Sequence, residues 1–231
     1  MRWTLAVDID GTITENGNGT IHLGALGALR SVAAMGHRVV YVTGRSSVEA
    51  YVLSVFGGTG GIAVGENGGC ITTGPASHVL LGDIEACRKA YHMLQEQVPG
   101  MREKAVLPRM TEVVLERTFD IEEAAKIVRT MHPEVTISDS GYAIHINSRG
   151  IDKGRGLQEM YAEHGAERAR TIAIGDSGTD IPMFREAGLS VALANAPERV
   201  ARSADMVTTS PGGDGVVEAL QRLAPRLAGD A

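Results

Sequence analysis

Two aspartates close the first apolar run of this chain, Leu5-Ala6-Val7-Asp8-Ile9-Asp10, and Gly11-Thr12 follow at once. Side chains at i and i+2 of a strand share a face, so Asp8 and Asp10 can converge at the strand's C-terminal end. Gly11 frees the backbone to turn there. Two carboxylates about 4 Å apart repel by about 4 kcal/mol at an effective dielectric of about 20. A divalent cation, a shared proton or both would relieve that repulsion. An ordinary strand running into an Asp-rich turn would need neither. Residues of matching chemistry recur downstream: Thr43-Gly44, Lys153, and Gly175-Asp176 with Asp180. Carboxylate oxygens suit a hard cation such as Mg²⁺. A lysine, a hydroxyl and free backbone amides suit a phosphate.

The elements around these residues alternate. Leu23, Leu26, Leu29, Val32 and Ala33 recur at helical spacing, with Gly36 as the stop. A strand is expected at 39–42, just before Thr43-Gly44-Arg45. Ser46 and Glu49 have capping-box spacing for a helix that stops at Gly57-Gly58. A short strand at 62–64 leads into Gly65-Glu66-Asn67-Gly68-Gly69. Strand, helix, strand, helix, strand is the pattern of a parallel sheet. The polar stretch at 15–20 is expected to be an exposed loop.

The pattern changes at residue 83. Helices at 83–97 and from Asp120 to about Met131, a strand at 112–116, and a hairpin of 135–138 with 142–146 about Asp139-Ser140-Gly141 form a small α+β unit. We expect residues 83–149 to be an inserted domain, with 1–82 and 150–231 forming a doubly wound α/β core. The α/β pattern resumes with a helix opened by Asp152-Lys153-Gly154, a strand at 171–174 before Gly175-Asp176, and a helix at Asp180-Ile181-Pro182. A strand at 190–193, a helix opened by Pro197, a strand at 206–208 and a helix at 215–223 complete it. In a doubly wound fold, ligands bind outside the carboxyl ends of the strands. Asp8, Asp10, Thr43 and Asp176 should share that rim. Lys153, opening a helix, adds its charge where backbone amides attract anions.

A length of 231 residues allows one large domain or two smaller ones. A formal net charge of −6, with no basic run, argues against nucleic acid as a partner. No apolar run approaches the ~20 residues of a membrane span, and Asp8 interrupts the N-terminal apolar stretch. Cys70 and Cys87 do not form a CxxC pair and read as reduced thiols of a cytoplasmic protein.

Asp8-Ile9-Asp10-Gly11-Thr12, Thr43-Gly44, Lys153, and Gly175-Asp176 with Asp180 resemble the four motifs of the haloacid dehalogenase superfamily, and its phosphatase branch in particular. An insert between the third strand and Lys153 resembles a C2-type cap. Glu66-Asn67-Gly68-Gly69 is similar to the Cof-type branch. The short cap and overall length most resemble the archaeal phosphoglycolate phosphatases. The resemblance implies a Rossmann-like core and a phosphomonoester hydrolase acting through an aspartyl phosphate. It makes Asp8 the nucleophile and Asp10 the general acid and base, whose carbonyl also binds Mg²⁺. It makes Thr43, Gly44 and Lys153 the phosphoryl-binding groups. Asp176 becomes a metal ligand, and Asp180 a support for the metal shell or for Lys153. The implied cofactor is Mg²⁺. The implied partner is a small phosphorylated metabolite, 2-phosphoglycolate first, for a monomer or homodimer. A Cof-type sugar phosphatase, a phosphomutase and a phospho-accepting receiver module are the alternatives. Receivers, however, are about half as long and place the acceptor on a later strand. Thr179 departs from the Cof-type pattern, which has Asn there.

Gly58-Thr59-Gly60-Gly61-Ile62-Ala63 matches a dinucleotide fingerprint, but it follows a helix and precedes a strand, the reverse of what such a site needs. Asn195 reads as a turn residue. Tyr142, His145 and Asn147 read as ordinary sheet alternation in the insert. Arg88, Arg102, Arg109, Arg117 and Arg149 are the cap cations from which a second substrate anion would draw its partner.

Overall fold

The computed structural model describes residues 2–15 and 19–229. The middle of the loop expected at 15–20 lies outside the described residues. The chain begins β1 (Thr4–Val7), α1 (Leu23–Ala34), β2 (Arg38–Val42), α2 (Ser47–Gly57), β3 (Ala63–Gly65), β4 (Cys70–Gly74) and β5 (Ser77–Leu80). It continues α3 (Ile84–Gln97), β6 (Glu112–Leu115), α4 (Ile121–Met131), β7 (Val135–Asp139) and β8 (Ile144–Ser148). It closes with α5 (Lys153–His164), β9 (Thr171–Gly175), α6 (Ile181–Arg185), β10 (Leu189–Ala192), α7 (Glu198–Ala201), β11 (Met206–Val207) and α8 (Gly212–Gly229).

Among the described residues, one sheet runs in the order β11-β10-β9-β1-β2-β3-β4-β5. Its pairs from β11 to β3 are parallel. Alternation along each strand builds a core on both faces. Leu5 and Val7 join Val39, Tyr41, Ile172 and Ile174 on the side of α1 and α8. Ala6 joins Val40, Val42 and Ala173 on the side of α5 and α6. Burying such residues contributes roughly 1.5–3 kcal/mol each, which fixes the register of β1 against a one-residue slip. That register decides which way Asp8 points.

The expected helices form with the caps that their sequences encode. Ser46 and Glu49 make the reciprocal capping box of α2, and Gly58 ends it in the left-handed region at φ +69°. Asp152 caps α5 by accepting the Arg155 amide, and Asp120 caps α4.

Two expectations need correction. The sheet is not wholly parallel: β4 and β5, in a stretch to which the sequence assigns no element, extend it as an antiparallel edge. The final helix runs past the expected 215–223, from Gly212 to Gly229, with Pro225 inside it. Buried Leu223 and Leu227 bracket that proline, and their packing offsets the lost backbone hydrogen bond.

A second, antiparallel sheet has the order β6-β8-β7. Its core includes Cys87, Leu94, Leu115, Val128 and Ile146, and all its residues lie between 84 and 146. Cys70 and Cys87 are buried and free. No helix among the described residues is long and apolar enough to cross a membrane.

Candidate active site

β1 lies between β9 and β2, so the residues just past these three strands meet at one rim. Asp8 continues β1 and its amide still donates to the Ile174 carbonyl at 3.0 Å. Only 4% of it is exposed. Lys153, in the first turn of α5, is 2% exposed and places Nζ 2.8 Å from Asp8 Oδ1 and 2.6 Å from Asp180 Oδ1. Burial lifts the Asp8 pKa well above the usual carboxylate range, and the charge of Asp180 adds to this while Lys153 opposes it. Burial alone would lower the Lys153 pKa, but the two carboxylates outweigh it and hold the ammonium above its ordinary value.

Asp180 is fully buried, and its other oxygen accepts the amides of Asp176 and Ser177 at 3.0 and 2.8 Å, and the Ser177 hydroxyl. It therefore ties the loop after β9 to Lys153. Gly175 makes room for it, since a Cβ there would fall 2.5 Å from Asp180 Cγ. Asp176 accepts from Thr12 Oγ1 at 2.8 Å and from Asn195 Nδ2 at 2.9 Å. Burial, with Asp180 beside it, raises its pKa to about 6 against the help of the Thr12 hydrogen bond. Gly11 sits at φ +77°, and a Cβ there would lie 2.4 Å from Asp176 Oδ2. The glycine is thus required twice, for the turn and for the close approach.

Oxygens of Asp8, Asp176 and Asp180 lie within 4.8 Å of one another, the spacing at which one cation can satisfy several carboxylates. The Asp10 side chain is not in this group. It is half-exposed and turned to Arg45, whose Nε and Nη2 each donate to one Asp10 oxygen at 2.7 Å. Arg45 Nη1 reaches Glu49 at 3.3 Å. Thr43 is buried beyond β2, and its hydroxyl accepts the Arg45 amide at 3.1 Å, leaving its own proton to donate. The Gly44 carbonyl accepts from Arg109 Nη1 at 2.7 Å.

A cavity of about 540 Å³ opens over this rim. Asp8, Asp10, Gly44, Lys153 and Asp176 line it from below; Arg109, Ser140, Tyr142 and His145 line it from the second sheet and its approach. Tyr142 and His145 therefore face the cleft, contrary to the reading of plain alternation. Asn147 is buried and does not line it. Of the five arginines singled out, Arg109 alone lines the cavity. Arg117 is paired with Asp139, and Arg149 donates to the Pro133 and Val135 carbonyls.

Three positioning residues had escaped the sequence reading. Asn195 is more than a turn residue: it donates to Asp176 and to the Gly11 carbonyl and accepts the Gly212 amide. Arg45 orders Asp10. Glu66, with Asn67, adopts the left-handed region at φ +56° and +53°, and its Oε2 accepts three hydrogen bonds from Met110 and Thr111. Glu66 thereby fastens the rim to the segment leading into β6. Only the Glu-Asn-Gly-Gly run itself could have signalled this turn, since Asn and Gly tolerate positive φ.

A buried lysine–carboxylate pair and an acidic cluster at the carboxyl ends of a doubly wound sheet define a hydrolase of the haloacid dehalogenase type. The profile described as haloacid dehalogenase-like hydrolase matches residues 5–97 and 86–220, and the chain belongs to that family. It is an enzyme, of the phosphatase branch. A phosphoglycolate phosphatase of Nitrosopumilus maritimus is 55% identical over 224 residues, 97% of both chains. Another from Methanosarcina mazei is 39% identical over 95% of both. A crystal structure from Thermoplasma acidophilum superposes with a TM-score of 0.87 at 24% identity, covering 97% of this chain and 99% of that one. A haloacid dehalogenase-like hydrolase from Bacteroides thetaiotaomicron gives 0.79 at 21%, covering 96% and 100%. These two likenesses concern the fold. Membership of a hydrolase family sets the receiver-module alternative aside.

Proposed function

We propose that the protein is a Mg²⁺-dependent phosphomonoester hydrolase that forms an aspartyl phosphate on Asp8 and acts on 2-phosphoglycolate. The observation that carries the chemistry is the buried Asp8–Lys153–Asp180 chain, with contacts of 2.8 and 2.6 Å, opening on the cavity. Asp8 attacks phosphorus as a carboxylate, forming a P–O bond while the ester P–O bond breaks. Asp10 gives its proton to the departing alkoxide. It then takes a proton from water, whose oxygen attacks the same phosphorus and frees Asp8 and inorganic phosphate. Lys153 neutralises charge on Asp8 and on the phosphoryl group, with Thr43 and the Gly44 amide as further donors. Arg45 holds both Asp10 oxygens in this structure, so Asp10 must release at least one of these contacts to carry the proton through these two steps.

The acidic cluster fits a hard divalent cation: three carboxylates within 4.8 Å, two of them with raised pKa values, gain from positive charge. Asp8, Asp176 and the Asp10 carbonyl would hold Mg²⁺, with Asp180 behind them engaged by Lys153 and the loop amides. Bound there, it supplies charge that lets an anionic nucleophile approach an anionic phosphate.

We assign residues 83–149 to a cap over a core of 1–82 and 150–231. The support is that the second hydrophobic core draws only on residues 84 to 146. The substrate assignment rests on the relatives named phosphoglycolate phosphatase at 55% and 39% identity over nearly the whole chain. A cavity of about 540 Å³ suits a small metabolite. We assign the protein to the cytoplasm; the two unpaired thiols, Cys70 and Cys87, support that reading. The test is kcat/KM for phosphoglycolate against glycerol phosphate, hexose phosphates and an aryl phosphate, with Mg²⁺. Phosphoglycolate should lead. A hexose phosphate preferred tenfold, about 1.4 kcal/mol of discrimination, would make the protein a sugar phosphatase instead.

A further inference from the structure

Arg109 stands in the segment between α3 and β6, with 8% of its side chain exposed. One corner of its guanidinium is anchored. Nη1 donates to the Gly44 carbonyl at 2.7 Å and to Glu112 Oε1 at 3.0 Å. Glu112 is itself fully enclosed, and its second oxygen is held by His145 Nδ1 at 3.0 Å and Asn67 Nδ2 at 3.3 Å. The opposite edge has no such partners. Nε is buried without an acceptor, and Nη2 makes no hydrogen bond with any described residue. Charged donors left unmet in an interior are costly, and native structures rarely keep them.

The other cations around the cavity are engaged differently. Lys153 is spanned by Asp8 and Asp180. Arg45 already gives its Nε–Nη2 edge to the two oxygens of Asp10. That pair displays in this very cleft what such an edge fits: a carboxylate, bound through both oxygens. Arg109 lines the cavity with the same charged group, and its Nη2 end carries no partner among the described residues.

We propose that the unpartnered end of the Arg109 guanidinium binds the carboxylate of the substrate and selects phosphorylated acids over phosphorylated alcohols and sugars. This rests on the phosphatase reading of the Asp8 site. The Gly44 carbonyl that anchors Arg109 adjoins Thr43, the proposed phosphoryl donor, so the guanidinium is held beside the phosphoryl site. That favours a short acid with its phosphoester next to the carboxylate. A long chain or a ring would hold the two anions too far apart.

The test uses binding, so that turnover does not enter. Calorimetry with Mg²⁺ compares 3-phosphonopropionate, which carries both anions, with its carboxamide and with propylphosphonate. Wild type should bind the acid about 30-fold or more tightly than either neutral analogue, as a site built for a charged group discriminates. In Arg109→Gln that ratio should collapse to about threefold or less, and Arg109→Lys, which keeps the charge but loses the fork, should fall between. If Arg109→Gln does not fold, the lysine variant and the wild-type carboxamide comparison still decide. A wild-type ratio near one overturns the proposal. So does a ratio that survives in either variant. Neither result touches the phosphatase reading, which fails separately if Asp8→Asn retains aryl phosphate turnover.

Discussion

Replacing Lys153 by methionine removes the ammonium wedged between Asp8 and Asp180 and leaves two buried carboxylates facing each other. Breaking a buried ion pair from one side costs about 3–5 kcal/mol. A proton supplies an independent bound. Protonating a carboxyl of ordinary pKa costs about 5 kcal/mol near pH 7.5 and about 1.5 kcal/mol near pH 5, at 1.36 kcal/mol per pH unit. The variant can therefore lose no more than about 5 kcal/mol per carboxylate near neutrality, and much less in acid. The sign follows from proton counts. Without Lys153 the folded variant binds more protons than its unfolded chain between the ordinary carboxyl range and its raised pKa values, so its stability falls as pH rises through that window. For a chain of this size, about 5 kcal/mol corresponds to a drop in Tm of roughly 10–20 °C. The assay is thermal unfolding followed by circular dichroism in metal-free buffer, wild type against Lys153→Met, near pH 7.5 and near pH 5. The deficit should shrink by more than half at the lower pH. A deficit under about 3 °C near pH 7.5, or one equal at both pH values, would refute the ion-pair reasoning, since about 1 kcal/mol is what a solvated pair gives.

Asp8→Asn should fold normally and lose turnover; activity above about one per cent of wild type, a loss of only ~2.7 kcal/mol, would remove Asp8 as nucleophile. Asp8 and Asp176 hold protons above their ordinary range, Asp176 to about 6, so Mg²⁺ must displace them. Mg²⁺ affinity measured by calorimetry should therefore weaken as pH falls through 6, and a flat profile would count against these ligands. Gly11→Ala should cost about 1–2 kcal/mol for its left-handed backbone and should weaken Mg²⁺ binding as well, because the new methyl group meets Asp176. Asn195→Ala should raise the Mg²⁺ concentration needed for half-maximal rate by about tenfold, the loss of one charge-assisted hydrogen bond, while kcat at saturating metal changes little. An unchanged metal requirement would return Asn195 to the role of a turn residue.

Much of the rim was legible because short-range rules place it. An apolar run that ends in Asp, Thr-Gly or Gly-Asp marks a strand terminus, and parallel strands bring their termini to one edge. The β4–β5 edge was not legible: Ile71-Thr72-Thr73 is short and half polar, and Gly74-Pro75-Ala76 marks a turn without naming its strands. Asn195 and Arg45 act through contacts 184 and 35 residues away in sequence, which no local spacing records. Arg109 was one of five comparable cap arginines. Only the fold distinguishes it, by seating it on the Gly44 carbonyl.

The neighbours of β1 come from opposite ends of the chain. Thr12, just beyond β1, meets Asp176, just beyond β9, across 164 residues. At about 5–20 residues per second, a ribosome takes roughly 10–30 s to make that stretch. The second sheet, with its core complete by residue 146, can fold in that interval. Through all of it β1 lacks its β9 neighbour, whose place in the finished sheet is beside it, and an unpaired strand edge is a template for wrong pairing. Asp8 meanwhile remains in water as an ordinary carboxylate. Lys153 and Asp176 follow Asp8 by 145 and 168 residues (153 − 8 and 176 − 8), so Asp8 gains its buried partners only after those stretches have been made.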